Sequence, residues 1–244
     1  MSKNRVVKSH RKFTEENIID IDTAQKHFRP KKIELIPRTQ NQEKLVMALA
    51  DPKQHVVVTT GPAGTGKTYL ATLRAIQALR EGECKRIMLV RPAVAVDGES
   101  HGFLPGDLNQ KLEPWCLPLL DILHEFYKPH EVSKMIGDKV IEMAPLSMMR
   151  GRTLKDVFLI LDESQNCSTT QMLLLLTRIG ENSKFIVTGD VQQTDRTKCV
   201  NGLTDLVTKL TNRPVKGMSV VNFELKDVQR HPLIGDILGL YDQE

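Results

Sequence analysis

A chain of 244 residues with 40% hydrophobic content can bury a substantial core, as one large α/β domain with an extension or as two small ones. No run approaches the roughly 20 apolar residues that cross a bilayer, and the N-terminus MSKNRVVKSHRKF is basic without the apolar stretch of a secretory signal. A membrane-spanning or secreted protein is therefore not expected, and a cytoplasmic one is, in the host cytoplasm if the source is viral. Cys84, Cys116, Cys167 and Cys199 lack zinc-type spacing, so they read as reduced thiols rather than metal ligands or a catalytic thiol.

The net charge of +4 is unevenly placed. Residues 1–32 hold nine Lys or Arg against four acids, which leaves 25 basic and 26 acidic residues in a nearly neutral body. A basic, flexible arm is expected to attract nucleic acid by neutralising phosphates and releasing counterions. A solvated tail without a partner is the equal alternative. Pro30 and the Lys pair after it mark the junction, giving a tail over 1–32 and a folded domain over 33–244.

The first expected helix is Asn41 to Ala50, with Leu45, Ala48 and Leu49 on one face. His55 to Thr60 follows as a short β-branched run suited to a buried strand. Gly61-Pro62-Ala63-Gly64-Thr65-Gly66-Lys67-Thr68 then matches GxxxxGK[ST] in the strand-to-helix context that confirms the motif. Its glycines let backbone N–H groups curl round phosphate oxygens at the positive end of a helix over Thr68 to Leu79. Lys67 is placed for the β and γ phosphates of ATP, and the Thr68 hydroxyl for Mg²⁺.

Arg86 to Val90 reads as a second buried strand. Pro92 to Pro118 is rich in Gly and Pro and holds the one tryptophan, Trp115, which predicts a functional loop or lid. Val157 to Asp162 is an apolar strand that ends in two acids. Asp162 reaches the Mg²⁺ shell from the strand tip, and Glu163 orients and deprotonates a water for attack on the γ phosphate. Met172 to Ile179 is an expected helix whose leucines read as core. Lys184 to Asp190 is a further strand, and Gln193 beyond it is the candidate γ-phosphate sensor. Ser219 to Leu225 reads as a strand and Pro232 to Tyr241 as a helix. Alternating strands and helices predict a mainly parallel sheet flanked by helices.

GPAGTGKTYLA, LVRPAV, RGRT, DVFLILDESQN, LTRIG, TGDVQQTD and DVQRHPL together resemble the PhoH-like family of P-loop ATPases over roughly Ile36 to Tyr241. That family is similar to the first motor domain of superfamily-one helicases, which implies a RecA-like sheet and a role on RNA or single-stranded nucleic acid. The resemblance implies that Gln42 reads the adenine edge and that Glu99 and the loop from Gly102 to Leu108 face nucleic acid or a neighbouring subunit. Arg150 and Arg152 contact phosphates or form a solvated basic pair. Such motors complete catalysis with an arginine from a second motor domain. Here Arg230 or Arg178, within the chain or from the next subunit of a ring-like homo-oligomer such as a hexamer, is the candidate. Longer relatives carry fused nuclease or RNA-binding modules, and an intrinsic nuclease is not expected. An ATP-driven assembly switch is the second function class and a small-molecule kinase the third, the latter opposed by the paired acids.

Overall fold

The computed structural model describes residues 31–92, 108–191 and 201–229, with the side chains of 108–115 outside that set. In chain order the elements are α1 (Gln40–Ala50), β1 (Val56–Thr60), α2 (Lys67–Arg80), β2 (Arg86–Arg91), α3 (Leu108–His124), α4 (Pro129–Gly137), β3 (Ile141–Pro145), β4 (Val157–Leu161), α5 (Thr169–Leu176), β5 (Lys184–Gly189), α6 (Gly202–Asn212) and β6 (Met218–Asn222). The strands form one sheet in the order β3-β2-β4-β5-β1-β6, and every pairing is parallel. The α/β, RecA-like sheet with flanking helices is thus present, parallel throughout among the described residues.

Parallel strands buried on both faces need apolar residues at every position. Every residue of β1 and β4 is buried. Side chains of β4 alternate: Phe158 and Ile160 join the core beneath α1, α2, α3 and α4, whereas Leu159 and Leu161 join the core with Met172 and Leu175 of α5 and Leu203 of α6. The period of two sends one strand's residues into both layers. Because all strands run the same way, all their C-terminal ends meet one edge, where the functional motifs lie.

Several boundaries differ from the sequence expectation. Residues 108–118, expected within a long loop, are helical, and α3 accommodates both Pro114 and Pro118. The rest of that loop, with Glu99 and Gly102 to Gly106, lies outside the described residues. The leucine helix starts at Thr169 rather than Met172, because Ser168 caps it by accepting from the Gln171 amide while Gln171 answers on the Ser168 amide. Its leucines are not all core, since Leu173 is 61% exposed while Leu175 is fully buried. The final strand stops at Asn222, and Leu225–Asp227 forms a 3-10 turn. Cys84, Cys116 and Cys167 are buried free thiols, and burial pushes Cys84 and Cys116 up to about 11. Cys199, the Trp115 side chain, the tail over 1–30 and the segment from Pro232 to Tyr241 lie outside the described residues. Among the described residues no helix is long and apolar enough to cross a membrane.

Candidate nucleotide site

The turn after β1 needs glycine at its first position for a steric reason. Gly61 has φ +135°, and a Cβ there would lie 2.4 Å from the Phe223 carbonyl oxygen. Gly66 caps α2 in the left-handed region. Between them the loop turns back so that Lys67 donates through Nζ to the carbonyls of Gly61 and Pro62, each at 2.7 Å, and to Thr65 Oγ1 at 3.2 Å. Phosphate oxygens engaging this ammonium must take the place of those acceptors, which charge-assisted bonds favour.

Sheet order brings the second motif alongside. Strand β5 lies between β1 and β4, so the tips of all three converge. Thr68 Oγ1 donates to Asp162 Oδ1 at 2.9 Å, and Thr188 Oγ1 donates to the same oxygen at 2.6 Å. Hydroxyl and carboxylate oxygens so close suit Mg²⁺, a hard cation that takes one or two protein oxygens and fills its shell from phosphates and water. The donor set fits the ion that the motif implies.

Glu163 adopts φ 54°, ψ 39°, a left-handed conformation that is uncommon for a residue with a side chain and often marks a functional position. Gln165 Nε2 donates to Glu163 Oε2 at 2.6 Å, while Gln165 Oε1 accepts from the Asp190 amide at 3.1 Å. One side chain therefore holds the carboxylate and ties the tip of β4 to that of β5. Arg91, at the end of β2, donates to Asp162 Oδ2 at 2.7 Å and has Nη2 3.6 Å from Glu163 Oε1. Lys67, Thr68, Tyr69, Arg91, Asp162 and Glu163 all line one cavity of about 320 Å³.

A second cavity of about 500 Å³ adjoins the loop and includes Gln42, Tyr69 and Gln229 in its lining. Gln42 is buried, so it is no surface glutamine. Its Nε2 donates to Thr65 O at 3.0 Å, and its Oε1 accepts from the Arg38 amide at 2.7 Å. These two bonds fix the amide's orientation and leave one N–H and one lone pair. That remainder matches adenine, which offers an acceptor at N7 and a donor at N6, and mismatches guanine, which offers acceptors at both N7 and O6.

The arginine candidates fare differently. Arg178 follows α5 at the N-terminal edge of the sheet, opposite the phosphate loop. Its guanidinium donates to the carbonyls of Leu174 and Arg152, and its own carbonyl accepts from Leu154 just ahead of β4. In its own chain it does not reach the cavity. Arg152 makes a two-pronged contact with Glu142, at 2.6 and 3.2 Å, and Arg86 joins the same carboxylate at 2.9 Å. That pairing corrects the expectation of a phosphate contact or solvated pair for Arg152. Arg150 is exposed. Gln193 and Arg230 lie outside the described residues.

Arg91, Gln165, Tyr69 and Gln229 were not singled out from the sequence. For Gln165 a signal existed, since an amide two residues beyond paired acids can turn back on them. Arg91 carries none, because only strand order sets it beside Asp162.

A parallel sheet whose glycine-rich loop and paired acids meet at one edge defines a P-loop nucleotide-binding protein of the ATPase kind. Residues 34–242 match the family described as PhoH-like protein, and the chain belongs to that family. It is 45% identical over 208 residues to a PhoH-like protein of Bacillus subtilis (strain 168), a match covering 85% of this chain and 64% of that protein. It is 44% identical over 207 residues to a PhoH-like protein of Synechocystis sp., covering 84% and 62%, and 34% identical over 205 residues to Protein PhoH of Escherichia coli (strain K12), covering 83% and 57%. The chain thus spans about six tenths of the length of these relatives. Among solved structures, the Sulfolobus solfataricus SWI2/SNF2 ATPase core in complex with dsDNA is 14% identical with TM-score 0.39, covering 66% of this chain and 34% of that one. That likeness is too slight to add to the fold described above.

Proposed function

We propose that this chain is a magnesium-dependent ATP hydrolase that couples turnover to movement on, or remodelling of, RNA. The observation that supports hydrolysis most is the contact of Thr68 with Asp162 at 2.9 Å, with Glu163 on the same cavity. Thr68 and Asp162 would hold magnesium, which would supply positive charge against the phosphates. Lys67 and the loop amides hold the phosphates, and Asp162 orients the Thr68 hydroxyl. Glu163, steadied by Gln165, takes a proton from water as the water oxygen bonds to the γ phosphorus. The bond to the β–γ bridging oxygen breaks, and its electron pair leaves with ADP.

The RNA part rests on the basic segment over 1–32 and on the family resemblance. Turnover measured with defined RNA and single-stranded DNA across salt concentrations tests it. Stimulation that fades as salt rises is expected. An unchanged rate with every nucleic acid contradicts it and favours the second reading, an ATP-driven assembly switch. One feature supports that second reading: a groove of about 510 Å³ beside the loop, lined by Pro62, Val191, Val207, Phe223 and Leu225 among others, with Leu225 79% exposed. A ring-like homo-oligomer belongs to either reading.

A further inference from the structure

Asp162 is heavily engaged. Its Oδ1 accepts from two hydroxyls, Thr68 at 2.9 Å and Thr188 at 2.6 Å, and its Oδ2 accepts from Arg91 at 2.7 Å. A divalent cation seated on the Thr68 hydroxyl draws on the same carboxylate, and it repels a guanidinium held there. The two cations compete for one aspartate.

Arg91 is built for a second pose. Its side chain is 20% exposed and borders the phosphate cavity. Its Nε is buried with no acceptor among the described residues, so the present pairing leaves part of the donor fork unused. A rearranged guanidinium gives up one ion pair rather than a complete set of bonds. Among the described residues, a second carboxylate within ion-pair reach is Glu163, whose Oε1 is 3.6 Å from Nη2, so a small rotation carries the charge towards the end of the cavity where Glu163 acts.

Resting on the magnesium-ATP reading above, we propose that Arg91 is the chain's own catalytic arginine: magnesium displaces it from Asp162, and it turns to the γ-phosphate oxygens. The guanidinium stays protonated throughout and transfers nothing. It offsets the charge that spreads over the γ-phosphate oxygens as the bond to the bridging oxygen breaks. A planar fork suits this task in a way an ammonium does not. Hydrolysis then needs no arginine from a neighbouring chain.

The full chain, wild type, Arg91→Ala and Arg91→Lys, is titrated with Mg²⁺ at a fixed concentration of a fluorescent non-hydrolysable ATP analogue, and phosphate release is measured in parallel. Removing the competitor lowers the half-saturating Mg²⁺ for Arg91→Ala at least about threefold, while kcat falls about a hundredfold or more. Arg91→Lys keeps much of the competition and recovers little of kcat. An Mg²⁺ midpoint that is unchanged or raised, or a kcat within about threefold of wild type, overturns the proposal. If thermal unfolding shows that Arg91→Ala does not fold, Arg91→Lys decides, and a near wild-type kcat overturns it. Wild-type protein that binds no analogue with Mg²⁺ contradicts the ATPase reading itself, a different result from variants that match a wild type that binds.

Discussion

The Asn41 side chain, in the first turn of α1, donates to the buried carboxylate of Asp227 at 2.7 Å across 186 residues of chain. Asp227 Oδ2 also accepts from the Glu224 amide at 2.9 Å, which closes the 3-10 turn. Two residues on, the Gln229 amide donates to Gly64 O at 2.9 Å. The carboxylate therefore fastens a strap of chain across the phosphate loop and ties it to the helix that carries Gln42.

Breaking that fastening should loosen loop and base pocket together. Burial pushes the Asp227 carboxyl up, but bonds from Asn41, the Glu224 amide and Thr39 outweigh it and leave its pKa below the ordinary value. A carboxylate depressed in the folded state stabilises above its unfolded pKa, and the gain fades as pH falls through the folded one. Asn41→Ala should cost about 1.5–3 kcal/mol near neutrality. Denaturant unfolding at pH 7 and in mild acid checks this, with the wild-type advantage over Asp227→Asn shrinking in acid. An advantage that grows in acid contradicts the assignment.

The fixed amide of Gln42 predicts a choice of base. Gln42→Ala should raise KM for ATP and cut the preference for ATP over GTP by about ten- to a hundredfold, the worth of one bidentate base contact. Competition between the two nucleotides at subsaturating concentration reads the ratio directly. An unchanged ratio removes Gln42 from base recognition.

Gln165 is a positioning residue whose loss should lower kcat more than it raises KM, because it holds Glu163 and touches no phosphate. Gln165→Ala should reduce kcat about tenfold or more, a share of what the general base contributes. Gln165→Glu places a like charge beside Glu163 and should shift the acid limb of the pH profile upward. A rise in KM alone, with the pH profile unmoved, shows that Gln165 only braces the loop.

Much of this site was legible because it is local. Gly61 to Thr68 is contiguous, and Asp162 and Glu163 end one apolar run, so strand and chemistry appear together. The helices α3 and α6 were harder. Pro114 and Pro118 and the glycines before them suggest turns, while α6 begins at Gly202 behind a polar stretch. Arg91 illustrates the deeper limit. Its partner is 71 residues away, and β2 and β4 become neighbours only because β3 takes the outer position in the sheet.

At the N-terminal end of β5, opposite the phosphate loop, Lys184 donates to the carbonyls of Leu49 and Asp51 at 2.6 and 2.9 Å. Burial, and then the charge of Arg74, push its ammonium down to about 8. Between that value and the ordinary lysine range the unfolded chain binds more protons than the folded one, so stability rises with pH there. Relative to Lys184→Met, the wild type should gain stability as pH rises above about 8, by less than the full worth of one proton because the side chain is only half-buried and solvent screens it. Unfolding curves at pH 7.5 and 9.5 for both proteins measure it. A difference that does not change with pH refutes the depressed ammonium.

The central claim is that the paired acids make this phosphate-binding loop a hydrolase, and phosphate release by the wild type and Glu163→Gln, each shown to bind an ATP analogue with Mg²⁺, tests it most directly. The account predicts steady turnover by the wild type and a loss of about a hundredfold or more in kcat for Glu163→Gln at unchanged affinity. No phosphate release by the wild type, or equal turnover by the two proteins, would contradict it.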